Sequence, residues 1–342
     1  MRKSATKFAR GYFAMIPAAA AILAGISAAP FAPAGAQQQS DPPPQQSTPP
    51  QPTNKHIVGK TDVTVQMPPT AHYKPPAIEV PDNPPPFLYF QIEEVAPGQT
   101  SAHLDNLAAQ LAVYRHAGWP LHSIALDSIA GPGNEFVILV GFETFHAMDQ
   151  TNVDFAGSPK DLTRYQQLTN EEDAMLESHR GLVGVYRPDL SYQVDHNAMA
   201  HARVIFMNEQ IVRAGQSDEY ESDMKFVVQA FSDAHTKINE YVYQIVAGAP
   251  PGTYIRIEPL RGLGDWDDWP NQMKNTMESL DDAGRKRFLE LGKDYTIETP
   301  AAAHALGDSP ATRLYNIHPE LSSVTDSFAA KDPAFWRPNK PQ

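Results

Sequence analysis

No cysteine occurs in the 342 residues. Its absence excludes a disulfide framework, a thiolate metal site, a Cys nucleophile and a lipid-modified N-terminal Cys, so the fold must be held by its core alone. Basic residues are also scarce, 27 Lys and Arg against 40 Asp and Glu, and they are scattered rather than clustered. With a formal net charge of -13, the chain is not expected to bind nucleic acid, which requires cations that neutralise phosphates. GxSxG and HExxH are missing as well, which removes the nucleophile-elbow signal for acyl transfer and the signature of a helical zinc site. The glycines in "GLGDW" and "AGPGN" sit in turns and precede no phosphate-cradling helix, so they read as loop glycines.

Proline is abundant, and it is concentrated near the start. Arg2, Lys3, Lys7 and Arg10 precede an apolar, Ala-rich run from Tyr12 to Ala29 and the small-residue exit Ala34-Gly35-Ala36. That order predicts a secretory signal over residues 1–36, interrupted by Pro17 and better suited to cleavage than to spanning a membrane. The mature protein is then periplasmic or extracellular, with no membrane span after cleavage. Residues 37–86, with "SDPPPQQSTPPQPT", can bury little against their ordering entropy and read as a disordered Pro/Gln-rich spacer. Inside it, "HIVGKTDVTVQM" alternates well enough to add one strand.

From Phe87 the texture becomes periodic. "FLYFQIEEV" reads as a strand, Leu104, Leu107, Ala108 and Leu111 as one helical face, and "LHSIALDSIAG" and "EFVILVGFET" as two strands; a polar helical stretch then leads to "LVGVY". The same order returns after His201: "ARVIFMNEQIV", a helix carrying Tyr220, Met224, Val227, Val228 and Phe231, then "YVYQIVAG", "TYIRIEPL" and "TRLYNIHPE". Local phrases match too, "VAPGQTS" with "VRAGQSD" and "YRPDLS" with "IHPELS". The expected fold is α+β, two tandem ferredoxin-like β-α-β-β-α-β repeats over 87–194 and 201–325, with a tail over 326–342. Each unit leaves one sheet face uncovered, and two copies can cover each other as an intramolecular barrel.

This duplication, the topology and the aromatic-acidic segments "FETFHAMDQ" and "LGDWDDW" resemble the dimeric α/β-barrel superfamily, with its NIPSNAP-like, EthD-like and antibiotic-biosynthesis-monooxygenase-type domains. The resemblance covers about Phe87 to Ser323. It implies either cofactor-independent oxygenase chemistry or, in haem-handling relatives, a His axial ligand. No local motif selects such a His here, so no cofactor is assigned and haem stays an alternative that the resemblance allows.

Strand alternation suggests which residues line the space between the sheets. Tyr254, Arg256 and Glu258 share one face of their strand and Ile255 and Ile257 the other. Giving the apolar face to the helices turns the mixed face toward the partner sheet. Tyr89, Gln91 and Glu93 align with Phe206, Asn208 and Gln210, so Tyr89, Gln91, Asn208, Arg256 and Glu258 are the expected lining of an amphipathic ligand cavity. The plainer alternatives are an ion pair along the strand for Arg256 and Glu258, and cross-strand hydrogen bonds for Gln91 and Asn208.

The histidines offer no metal spacing. His196 and His201 beside Asp195 belong to the connection between copies, His318 stands where the first copy has Arg187, and His122 and His146 lie near strand ends. Trp266 and Trp269 are three apart and suit the anchoring of a short helix. Phe335-Trp336 in the tail either folds back or meets a partner. The expected function is binding of a small, partly apolar or aromatic ligand between the sheets by a monomer or homodimer. The alternatives are an enzyme of the resembled kind and an interaction protein with a solid interface.

Overall fold

A computed structural model describes residues 84–117, 122–131, 133–148, 159–291 and 312–337. The signal, the strand within the spacer and nearly all of the spacer itself lie outside the described residues. Each repeat runs as expected. The first is β1 (Phe87–Val95), α1 (Thr100–His116), β2 (Ser123–Ala130), β3 (Glu135–Phe142), α2 (Pro159–Asp173) and β4 (Leu176–Tyr186). A short α3 (Ala198–His201) connects it to β5 (Val204–Ile211), α4 (Ser217–Asp233), β6 (Tyr241–Ala247) and β7 (Thr253–Leu260). Then come α5 (Trp269–Ser279), α6 (Asp282–Glu290), β8 (Thr312–Ser323) and, in the tail, α7 (Asp326–Ala329) and α8 (Pro333–Trp336). Among the described residues no helix is long and apolar enough to cross a membrane.

The eight strands close into one antiparallel barrel in the order β1-β3-β2-β8-β5-β7-β6-β4, with β4 returning to β1. Each repeat contributes four adjacent strands, and the seams are β2 with β8 and β4 with β6. Closure removes every free sheet edge. The seams are pseudo-symmetric, and the repeated Pro-acidic-Leu-Ser phrase is the device that makes them so. Ser191 Oγ donates to the carbonyl of Arg187 at 2.7 Å and accepts from the N–H of Val242 on β6 at 2.9 Å. Ser322 Oγ donates to the carbonyl of His318 at 2.6 Å and accepts from the N–H of Ala125 on β2 at 3.0 Å. Each serine thus stitches the last strand of its own repeat to the second strand of the other. At the β4–β6 seam Gly248 adopts φ +88°, and a Cβ there would come 2.0 Å from the carbonyl oxygen of Gly181, so only glycine fits.

The barrel interior is the main core. Leu88, Phe90 and Ile92 from β1 meet Ile124, Leu126, Val137, Leu139 and Leu182 from their own repeat and Ile205, Met207, Ile255, Ile257 and Ile317 from the other. Outside the barrel, α4 packs through Tyr220 and Met224 on Val242 and Tyr254, and its far half through Val227, Ala230 and Phe231 on Met273 of α5 and Phe288 of α6. Trp266 stacks edge-on against Phe206 at 5.3 Å and Trp269 packs beside the α4–α5–α6 cluster, which anchors this region as its spacing suggested.

Candidate functional site

The face assignment made from the alternation of β7 is inverted in the structure. Ile255 and Ile257 point into the barrel and Tyr254, Arg256 and Glu258 point outward under the helices. Both faces of β7 are buried along its whole length, so polarity alone could not say which was inside. Arg256 pairs with Glu240, just before β6, and not with Glu258; both partners are 5 % exposed. Asn208 donates to Thr312 Oγ1 across the β5–β8 pair at 2.9 Å, the cross-strand bond its plainer reading described. Gln91 donates to Glu93 two residues along β1. The Tyr89 ring lies over Gly181 on the outer face. The five expected lining residues therefore do not meet in one place. Glu258 lines an open polar cleft of about 430 Å³ beside Asp265, Asp268, His201 and Lys237. Burial and the nearby charge of Glu240 push its carboxyl up to about 8.

The interior is not uniform. At the end where β3 and β8 begin, Glu135, Arg180, Glu209 and Arg313 occupy inward positions and close the barrel with charge. Arg180 makes a two-pronged contact to Glu209 at 2.8 and 3.2 Å, Arg313 lies 3.4 Å from Glu135, and Tyr315 donates to Glu135 at 2.5 Å. Two Arg and two Glu leave no net charge, which is the condition for burying ions there.

At the opposite end the barrel is open and apolar. Leu88, Ile124, Leu139, Tyr241, Tyr243 and Ile257 line a pocket of about 60 Å³. Its cover comes from three separate segments: Pro84-Pro85, the residues His196–Ala200 around α3, and Phe328 and Lys331 of the tail. Tyr243 donates to the carbonyl of Pro85 at 3.1 Å. His122 sits in the wall, 5.0 Å from the Phe328 ring, with Nδ1 unpartnered, and burial lowers its imidazole to about 4, so it is neutral near pH 7. Phe335-Trp336 folds back rather than facing outward: Trp336 is buried and packs on Phe328 at 5.2 Å, while the Arg203 guanidinium covers the Phe335 ring at 3.8 Å.

Sequence reasoning had His122 among its candidates but missed its pocket, because the cover is assembled from residues more than a hundred positions apart. Three of the other candidate histidines have evident surroundings. His318 has both ring nitrogens on carboxylates, Asp127 at 2.9 Å and Glu320 at 2.7 Å, His201 faces Asp195 at 3.4 Å, and His146 is exposed. Neither His122 nor His201 stands in a haem-sized apolar hollow: His122 borders the pocket of about 60 Å³, and the larger cleft beside His201 is lined by Asp195, Glu258, Asp265 and Asp268, which would repel propionates.

No protein-family model matches the chain, and no curated protein matches it. Solved structures do. An anthrone oxidase-like protein aligns at 10% identity over 68% of this chain and 91% of its own, with a TM-score of 0.42. A chlorite dismutase from Candidatus Nitrospira defluvii aligns at 11% over 72% and 94%, with a TM-score of 0.39. A NIPSNAP family protein from Agrobacterium tumefaciens aligns at 13% over 30% and 93%, with a TM-score of 0.26. The strand order itself gives the architecture: two split β-α-β-β-α-β units in one chain form a closed barrel, the dimeric α/β-barrel arrangement made intramolecular.

Proposed function

We propose that the protein is exported and binds a small, largely apolar or aromatic molecule in the open end of its barrel. One observation carries the reading: the two barrel ends are closed by opposite means. Charged side chains of the strands themselves fill one end. The other is left apolar and covered by peripheral segments that belong to none of the eight strands. The pocket of about 60 Å³ is smaller than the ~150 Å³ cavity known to take up benzene, so a ring-sized ligand enters by displacing part of the cover. Tyr241, His122 and the Tyr243 hydroxyl, which donates to Pro85 and can still accept, are the few polar groups beside a ligand in such a surround.

Native mass spectrometry and an absorbance spectrum on protein recovered from the exported fraction test this directly, followed by ligand-observed NMR with benzene, indole and naphthalene. A retained small molecule, or binding of one of these rings that Leu139→Trp abolishes while leaving the thermal midpoint within a few degrees, is the expected result. Binding that is absent in the wild type, or unchanged in Leu139→Trp, overturns the reading. A second reading rests on His122, whose imidazole, held neutral by burial, borders the pocket and can hydrogen-bond a reacting ligand without a cofactor. It predicts that His122→Phe keeps ligand binding and loses turnover.

A further inference from the structure

The buried face of α1 is polar where that of α4 is not. His103, Asn106, Leu107, Gln110 and Leu111 are all buried, at i, i+3, i+4, i+7 and i+8. His103 lies between Glu93 on β1 and Glu172 near the end of α2, with Nε2 3.3 Å from one carboxylate and Nδ1 3.9 Å from the other. The three residues are 0 %, 1 % and 4 % exposed in the order His103, Glu93, Glu172. Glu93 Oε2, Glu172 Oε1 and both ring nitrogens have no hydrogen-bond partner. One coordinating atom from each residue lies within 4.8 Å of the others.

Four orphaned polar atoms at one buried point are costly unless something else satisfies them. Once both carboxyls have given up their protons, they and a neutral imidazole present two negative charges, which one divalent cation cancels. Tetrahedral zinc at about 2.0–2.2 Å from N and O ligands sets its donors about 3.4 Å apart; His103 Nε2 and Glu93 Oε2, 3.3 Å apart, already fit, and Glu172 must draw in by up to about 1.4 Å. The surrounding side chains are already braced. Gln91 donates to the other oxygen of Glu93, Gln110 donates to Asn106 at 2.7 Å, and Asn106 donates to the carbonyl of Leu168 at 3.0 Å. In the second repeat the positions of Glu93 and His103 carry Gln210 and Tyr220, so the fold does not itself demand this set.

We propose that Glu93, His103 and Glu172 form a buried site for one divalent cation of the zinc class, which clamps α1 and α2 onto β1. The site lies outside the barrel and is independent of the ligand pocket.

The test uses the full chain stripped of metal and titrated with Zn²⁺ and Co²⁺. The expected result is one equivalent bound, a higher thermal midpoint, and a Co²⁺ visible spectrum of a low-coordinate, nitrogen-ligated ion. E93Q/H103Y gives the first repeat the residues of the second; it is expected to fold with an unchanged circular dichroism spectrum and to lose at least a hundredfold in affinity. Glu172→Gln is expected to lose at least tenfold, and it decides the matter if the double variant fails to fold. No stoichiometric binding by the wild type overturns the proposal. So does undiminished affinity in Glu172→Gln or in a folded E93Q/H103Y, because the ion then sits elsewhere.

Discussion

The indole Nε1 of Trp336 donates to the carbonyl of Ala200 at 2.7 Å. This bond ties the end of the chain to the connection between the repeats, and it holds Phe328 over His122 at the barrel mouth. Trp336→Ala removes a buried aromatic and leaves that carbonyl unpaired, a loss of about 3 kcal/mol if the tail stays packed. The tail can instead detach, since it contributes no strand. Hydrogen exchange at Ala329 and Lys331 is therefore expected to accelerate about a hundredfold, with β-strand amides little changed. Uniform acceleration across the barrel would show that the tail is part of the global folding unit.

Ser191 and Ser322 make equivalent seam bonds, so their alanine variants are expected to behave alike. Each leaves a buried N–H, of Val242 or of Ala125, without its acceptor, at a cost of about 1–2 kcal/mol. Denaturant midpoints of the single and double variants check this. The seams lie on opposite sides of the barrel, so the double variant should show the sum of the two losses.

At the charged end, Arg313→Met leaves Glu135 buried without its cation, while Glu209 keeps Arg180. The expected loss is about 3–5 kcal/mol. Arg180→Met should cost less, because Arg180 is 24 % exposed while Arg313 is 2 % exposed and water screens the former. Equilibrium urea unfolding of the two variants side by side gives the ranking.

The repeat architecture was legible because it is written in local signals: alternating strands, turn residues and the recurring Pro-acidic-Leu-Ser phrase. The strand β4 starts at Leu176 rather than Leu182, since its polar first half, "LESHRG", carries no apolar alternation. The inside of the barrel was not legible. Alternation in β7 separates Ile255 and Ile257 from Arg256 and Glu258, but a barrel wrapped by helices buries both sets, and the pairing Glu240 lies before β6. The polar face of α1 was missed for a related reason. By spacing, Leu104, Leu107, Ala108 and Leu111 share one helical face, yet Ala108 is exposed and His103, Asn106 and Gln110 are inside. A histidine among polar neighbours on a helix has the sequence signature of a solvated face, and only the positions of Glu93 and Glu172 around it show otherwise.

Glu258 makes stability depend on pH in a direction opposite to an ordinary surface carboxylate. Burial and the charge of Glu240 raise its folded-state value to about 8 from 4.5, so between those values the folded chain holds a proton that the unfolded chain has lost. The contribution is complete below pH 4.5 and disappears as pH rises through 8. His122 acts with the other sign: its folded value of about 4 lies below the ordinary 6.5, so its contribution is present above pH 6.5 and is lost as pH falls toward 4. Glu258→Gln keeps a neutral, hydrogen-bonding side chain at every pH. Its stability relative to the wild type should therefore improve from pH 5 to pH 8, and paired urea curves across that range measure the difference. A constant offset between the two proteins at all pH values would mean that Glu258 ionises in the fold much as it does in the unfolded chain.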